Sequence, residues 1–77
     1  MKGGFIMAFD YSKLKGKIIE KYGSQSLFAK KIGVSKNTLS LKMNNRVRFT
    51  SNDIVKITDM LEIPKEEVGT YFFTLSV

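Results

Sequence analysis

An all-α fold of five short helices is what this sequence predicts, and three observations carry it. Four apolar runs recur at helical spacing, and each is opened by a capping residue type: Asp10, Ser24, Ser35 or Thr50. Gly23 and Gly33 precede two of those runs, where the preceding helix would end on a left-handed residue. Only the last seven residues abandon this period, and they predict a C-terminal β-strand or extended arm.

The first helix is expected from Tyr11 to Tyr22. Tyr11, Leu14, Ile18 and Tyr22 fall on one face, and Lys13, Lys15, Lys17 and Lys21 lie largely outside it. Gly16 weakens this helix by ~1 kcal/mol relative to alanine. The second helix, Gln25 to Ile32, is capped by Ser24 and presents Phe28 and Ile32, with Leu27 beside them. The third, Lys36 to Asn44, is capped by Ser35 and turns Leu39 and Met43 inward. The fourth, Ser51 to Leu61, opens with Thr50 and Asp53 at capping-box spacing. Its inward residues are Ile54, Ile57 and Leu61, with Val55 at the stripe edge.

Pro64 suits the first turn of a short fifth helix through Thr70, where Glu66 and Glu67 meet the positive end of the dipole. In the tail, Tyr71, Phe73, Leu75 and Val77 then alternate with Phe72, Thr74 and Ser76, a strand period. Such a strand would pair with Phe5 to Phe9, pair with its copy in a second subunit, or fold back onto the core. The organisation read from the sequence is a flexible segment over 1–9, one helical domain over 10–70 and an aromatic arm over 71–77. Met7 is a candidate start, so the first six residues are set aside.

At 77 residues the chain is one small domain. Cysteine and histidine are both absent, which excludes disulfides, zinc fingers and nearly every transition-metal site. The lack of cysteine suits a reducing cytoplasm. No apolar run approaches the ~18 residues of a membrane span. The serines have no histidine partner, and Gly3-Gly4 is not followed by a phosphate-loop Lys-Ser/Thr. The carboxylates of Asp53, Asp59, Glu62, Glu66 and Glu67 read as solubilising. The expectation is therefore no enzyme, no cofactor, no metal and no small-molecule substrate.

Charge is the first functional signal. The net charge is +6, yet no acidic residue occurs between Lys21 and Asn52, where Lys21, Lys30, Lys31, Lys36, Lys42, Arg46 and Arg48 all fall. The acids gather instead toward the C-terminus. A basic face beside a mildly acidic one fits a polyanion binder, against the plainer reading of a solubilising lysine surface.

The second signal is Ser24 to Asn45. Ala29 is small enough for the third helix to approach the second. Gly33 can take the positive φ of a sharp turn, and Val34 and Leu39 fill the wedge. Ser24-Gln25-Ser26-Leu27-Phe28-Ala29-Lys30-Lys31-Ile32-Gly33-Val34-Ser35-Lys36-Asn37-Thr38-Leu39-Ser40 resembles the helix–turn–helix of the phage Cro and repressor (XRE-type) DNA-binding family. The resemblance continues through Asn44-Asn45-Arg46, the Ile54/Ile57/Leu61 helix and Ile63-Pro64, covering roughly Tyr11 to Val68. Two positions depart from the family pattern. Lys42 stands where an apolar residue is usual, which leaves the groove-facing side among Leu41, Lys42 and Met43 open. Asn45 stands for the usual Gly, and asparagine tolerates the left-handed region.

The resemblance implies a lambda-repressor-like bundle with the third helix in the major groove of double-stranded DNA. Lys36, Asn37, Thr38, Ser40 and Leu41 would read bases; Gln25, Ser35, Lys42, Asn44, Arg46 and Arg48 would hold phosphates. It implies a small phage- or prophage-type transcriptional regulator, a homodimer on a palindromic operator. No second domain supplies that dimer, so Tyr71, Phe72, Phe73 and Leu75 of the arm are its candidates. The alternative is a helical protein-interaction module, antirepressor- or antitoxin-like, whose basic face meets an acidic protein.

Overall fold

The computed structural model of the chain describes residues 8–76. Five α-helices follow in order: α1 (Ser12–Tyr22), α2 (Gln25–Ile32), α3 (Lys36–Met43), α4 (Ser51–Leu61) and α5 (Val68–Phe72), with a 3-10 turn at Lys65–Glu67 leading into the last. The caps at α2, α3 and α4 fall where they are expected. The Leu27 amide donates to Ser24 Oγ at 3.1 Å and the Thr38 amide to Ser35 Oγ at 3.0 Å. At α4 the capping box is closed in both directions, with the Asp53 amide on Thr50 Oγ1 and the Thr50 amide on Asp53 Oδ2. At α1 the cap position belongs to Tyr11 rather than Asp10. Asp10 still satisfies that first turn, because its Oδ1 accepts both the hydroxyl and the amide of Ser12. Those hydrogen bonds, the hydroxyl's foremost, hold the Asp10 carboxyl below the ordinary aspartate value.

Leu14 and Ile18 of α1, Phe28, Ala29 and Ile32 of α2, Leu39 of α3, Ile57 and Leu61 of α4, Ile63 and Phe72 make one buried core. Helix α1 packs against α2, α4 and α5, and α3 packs against α2. Ile54 and Met43 lie half-buried against this core, as their spacing predicts. Glu62 ends α4 at φ 56°, a left-handed residue that the sequence did not announce. The turn it makes puts the Ile63 side chain in the core and lets the Ile63 amide bond the Thr58 carbonyl at 3.0 Å.

The tail departs from its predicted strand. Tyr71 and Phe72 belong to α5, and among the described residues of the tail only Leu75 pairs as a strand residue, antiparallel to Phe9; Val77 lies outside the described residues. Val68, Tyr71 and Phe72 also stand at i, i+3 and i+4, so the helical period competes with the alternating one. Burying a phenylalanine side chain yields about 1.5–3 kcal/mol, more than the ~1 kcal/mol span of strand propensity. Phe72, 1% exposed, therefore settles the helix. The same burial takes Phe72 out of the surface available to a second subunit, and Tyr71 is half-buried against the core. Phe73 and Leu75 stay exposed.

The inner end of the expected flexible segment is hydrogen-bonded to the rest of the chain. Residues 1–7, with the candidate start Met7, lie outside the described residues. The Asp10 amide bonds the Thr74 carbonyl at 2.7 Å and the Ser76 amide bonds the Ala8 carbonyl at 3.0 Å. Residues 8–10 are thus laid along 74–76, which is the intramolecular one of the pairings open to the tail.

Candidate nucleic-acid interface

The turn between α2 and α3 follows from Gly33. It sits at φ 83°, ψ 25°, and its amide and that of Val34 both return to the Ala29 carbonyl at 3.0 Å. Beyond the adjoining backbone no atom lies within 4 Å of where a Cβ would stand, so the backbone conformation alone, and not crowding, favours glycine here. Ala29 and Leu39 are each 1% exposed, so the helices meet closely where the small residue permits it. With Leu39 inside, the opposite side of α3 faces solvent.

The candidate base readers divide accordingly. Lys36, Asn37 and Leu41 are exposed, and none of their side chains has a hydrogen-bond or ion-pair partner among the described residues. Thr38 and Ser40 are half-buried. The Ser35 hydroxyl donates to Thr38 Oγ1 at 2.8 Å while capping α3, so these two hydroxyls serve the helix start. The Asn44 amide group donates to the Ser40 carbonyl at 2.8 Å and approaches its hydroxyl at 3.3 Å. Ser40 and Asn44, a base reader and a phosphate holder by resemblance, are tied to each other across the last turn of α3.

Lys42 does not point outward. Its ammonium points into the molecule and lies 2.5 Å from Asp53 Oδ2 of α4, with 15% of the side chain exposed. The question left among Leu41, Lys42 and Met43 is thereby answered. Met43 packs on the core, Lys42 bridges to α4, and Leu41 faces out. Lys42 is neutralised where it stands, so it is not placed as a phosphate clamp.

Lys42 is one of three lysines paired with an acidic side chain among the described residues. Lys21 reaches Glu62 at 3.3 Å, and Lys17 pairs with Glu20 within α1 at 3.4 Å. Lys56 donates to the Ile32 carbonyl at 2.9 Å and closes the carboxyl end of α2. Among the described residues, Lys30, Lys31, Lys36, Arg46 and Arg48 have no acidic partner, and all are exposed. Lys13 and Lys15 of α1 and Lys65 are likewise exposed without an acidic partner among the described residues, so the surplus positive charge is shared between α1, the later part of α2, the start of α3 and the loop after α3.

That loop is held by a residue whose side-chain role the local pattern did not reveal. Asn45 takes φ 63°, as its substitution for glycine suggests. Its side chain also accepts the Phe9 amide and donates to the Phe9 carbonyl, each at 2.9 Å, much as a neighbouring strand would. The N-terminal residues are thus pinned between Asn45 and the C-terminal tail, and Arg46 and Arg48 project from the loop that this contact anchors. Burial raises the Tyr11 hydroxyl above its ordinary pKa, and the positive charge of Arg48 opposes the rise.

Gln25, half-buried at the start of α2, opens onto a polar cleft of about 510 Å³ that also involves Lys15, Ser40, Met43 and Asn44. The structure thus gathers Gln25, Ser40 and Asn44 in one place and adds Lys15. In the sequence Lys15 looked like one more solvated lysine of α1, because nothing local announces which helix face abuts the start of α2. Asp10 on the same cleft places one carboxylate beside Lys15, Gln25 and Asn44.

Among the described residues no group of three or more acidic side chains could hold a metal ion, and no helix is long and apolar enough to cross a membrane. The family model described as "Protein of unknown function (DUF739)" matches residues 7–75. A search of curated proteins gives no match. Among solved structures, the chain is similar to the solution structure of the modulator of repression (MOR) of the temperate bacteriophage TP901-1 from Lactococcus lactis. The two share 43% identity at a TM-score of 0.76, over 84% of this chain and 88% of that one.

Proposed function

The chain belongs to the DUF739 family, and from that premise we propose that it is a phage regulatory protein acting through the exposed side of α3 and the loop that follows. The regulatory role rests on its similarity to a phage modulator of repression. The finer reading is binding of double-stranded DNA, and one observation carries it. Lys36, Asn37 and Leu41 on α3 and Arg46 and Arg48 in the loop that follows are all exposed, on a stretch of sequence that contains no acidic residue. In a major groove Lys36 would donate to guanine, Asn37 would pair with adenine and Leu41 would touch a thymine methyl. Arg46, Arg48 and Gln25 would hold phosphates. A homodimer on a palindromic site would have to be built mainly from Phe73 and Leu75, since Phe72 is buried in the core.

A second reading has its own support. Thr38, Ser35, Ser40, Asn44 and Lys42 are engaged within the fold, which leaves few polar readers on α3. The similar structure is described by its effect on repression and not as a DNA binder. On this reading the same face engages a repressor protein.

Titration of random duplex DNA at two salt concentrations separates the two. A DNA reader loses affinity with a slope near −0.9 per phosphate contacted. Selection from a random duplex pool then returns a consensus, and Asn37→Ala relaxes it at about one position, by ~1–3 kcal/mol. Absence of binding at about 50 mM salt, where non-specific contacts are strong, sinks the DNA reading and leaves the protein one.

A further inference from the structure

A second groove, which shares Phe9 and Tyr11 with the polar cleft, runs between residues 9–11, residues 72–73 and the loop after α3. Phe9, Tyr11, Phe49 and Phe73 wall it, and Arg46 and Arg48 stand at its side. The rings pack edge to face, Phe9 on Phe73 at 5.7 Å and Tyr11 on Phe49 at 5.2 Å between centroids, so the walls are braced. Its volume is about 250 Å³. Small-molecule sites usually begin near ~300 Å³, so the space suits one inserted side chain better than a metabolite.

Two features name the occupant. The walls are aromatic and exposed where they end: Phe73 is 51% and the neighbouring Val47 45% exposed. No acidic residue lines the groove, and neither arginine has an acidic partner among the described residues. A segment that fills this groove gains by bringing an apolar anchor for the rings and carboxylates for the guanidiniums. A nucleic-acid backbone supplies the anions without the anchor. A second copy related by a two-fold would bring an identical basic patch to the same contact, and like charges oppose that.

We propose that this groove docks an acidic peptide segment of a partner protein, with one aromatic or large aliphatic side chain seated among Phe9, Tyr11, Phe49 and Phe73 and flanking carboxylates on Arg46 and Arg48. The site shares the two arginines with the proposed DNA face, so a peptide seated here and duplex DNA held by Arg46 and Arg48 would compete. Anchors of this kind, a ring in a desolvated pocket with charges at the rim, carry most of the energy of small interfaces.

The test is selection of a random-peptide display library on the immobilised full chain, followed by binding of the enriched peptides in solution. Enriched sequences should share an aromatic or aliphatic anchor next to Asp or Glu. Replacing the anchor by Ala, or the acids by Lys, should weaken binding at least about 10-fold. Arg48→Glu, a surface change that leaves the core intact, should do the same, as should Phe73→Asp, whereas Asn37→Ala should leave the affinity within about 2-fold. Peptide-induced NMR shifts should centre on the rings of Phe9, Phe49 and Phe73. A selection without enrichment, peptides indifferent to Arg48→Glu, or shifts centred on α3 overturns the proposal. Sedimentation of the chain alone provides the last check: a dimer abolished by Phe73→Asp would make a second copy the occupant and overturn it as well.

Discussion

The Lys42 ammonium lies 2.5 Å from Oδ2 of Asp53, the same oxygen that accepts the Thr50 amide at 2.8 Å. One carboxylate oxygen thus serves both the cap of α4 and the bridge to α3. Burial alone would raise the Asp53 carboxyl, but the Lys42 and Thr50 hydrogen bonds outweigh it and hold the group below the ordinary aspartate value.

A group with a depressed folded-state pKa contributes stability that is fully present above its unfolded pKa and is lost as pH falls through the folded one. Stability should therefore decline as pH drops below about 4. Asp53→Asn should cost about 1–2 kcal/mol at neutral pH, leaving Lys42 half-buried without its charge partner. Urea denaturation across pH should show a shallower acid decline for the variant than for the native chain. Equal declines would remove Asp53 as the source.

Lys42 and Arg46 should differ in any DNA titration. Arg46 is exposed and without an acidic partner among the described residues, so Arg46→Ala should reduce the salt slope by about 0.9. Lys42 is already compensated, so Lys42→Ala should leave that slope unchanged while lowering stability. Equal losses of slope would place both side chains on phosphates and refute the internal bridge.

Asn45 joins a backbone role to a side-chain one, and two variants separate them. Asn45→Gly keeps the left-handed backbone and loses the contacts to Phe9, so about 1 kcal/mol should be lost and the Phe9 amide should exchange faster. Asn45→Ala should cost roughly a further 1–2 kcal/mol, because alanine resists that conformation. Unchanged exchange at Phe9 in Asn45→Gly would show that the contact does not restrain the N-terminal segment.

Adjacent phenylalanines in the tail should respond very differently. Phe72→Ala empties a fully packed site and should cost about 3–5 kcal/mol, a large share of the stability of a domain this small. Phe73 is half exposed, and Phe73→Ala should cost about 1 kcal/mol, mainly its edge contact with Phe9. Thermal denaturation checks both, and similar losses would mean that Phe73 is also a core residue.

Much of the fold was legible because the relevant forces act over three or four residues. The limits of α2 and α4, three side-chain caps and the turn at Gly33 all depend on hydrogen bonds or conformational preferences within one helical turn. The exposed start of α3 followed from the same reasoning, once Leu39 was assigned to the core. The strand prediction for Tyr71 and Phe72 failed because two periods fit the same residues. The choice between them depended on whether a pocket between the helices would accept Phe72.

The sequence by itself thus determined where helices begin and end, where the chain turns sharply and which half carries positive charge. Tertiary structure alone decided which polar groups remain available on that surface. Lys42 finds Asp53 eleven residues away, and Asn45 finds Phe9 at a separation of 36. Such partners are chosen by helix packing and chain reversal, which local spacing does not encode. A lysine that looks ready for phosphate can then be a strut inside the fold, and an asparagine that looks like a substitute glycine can hold the end of the chain.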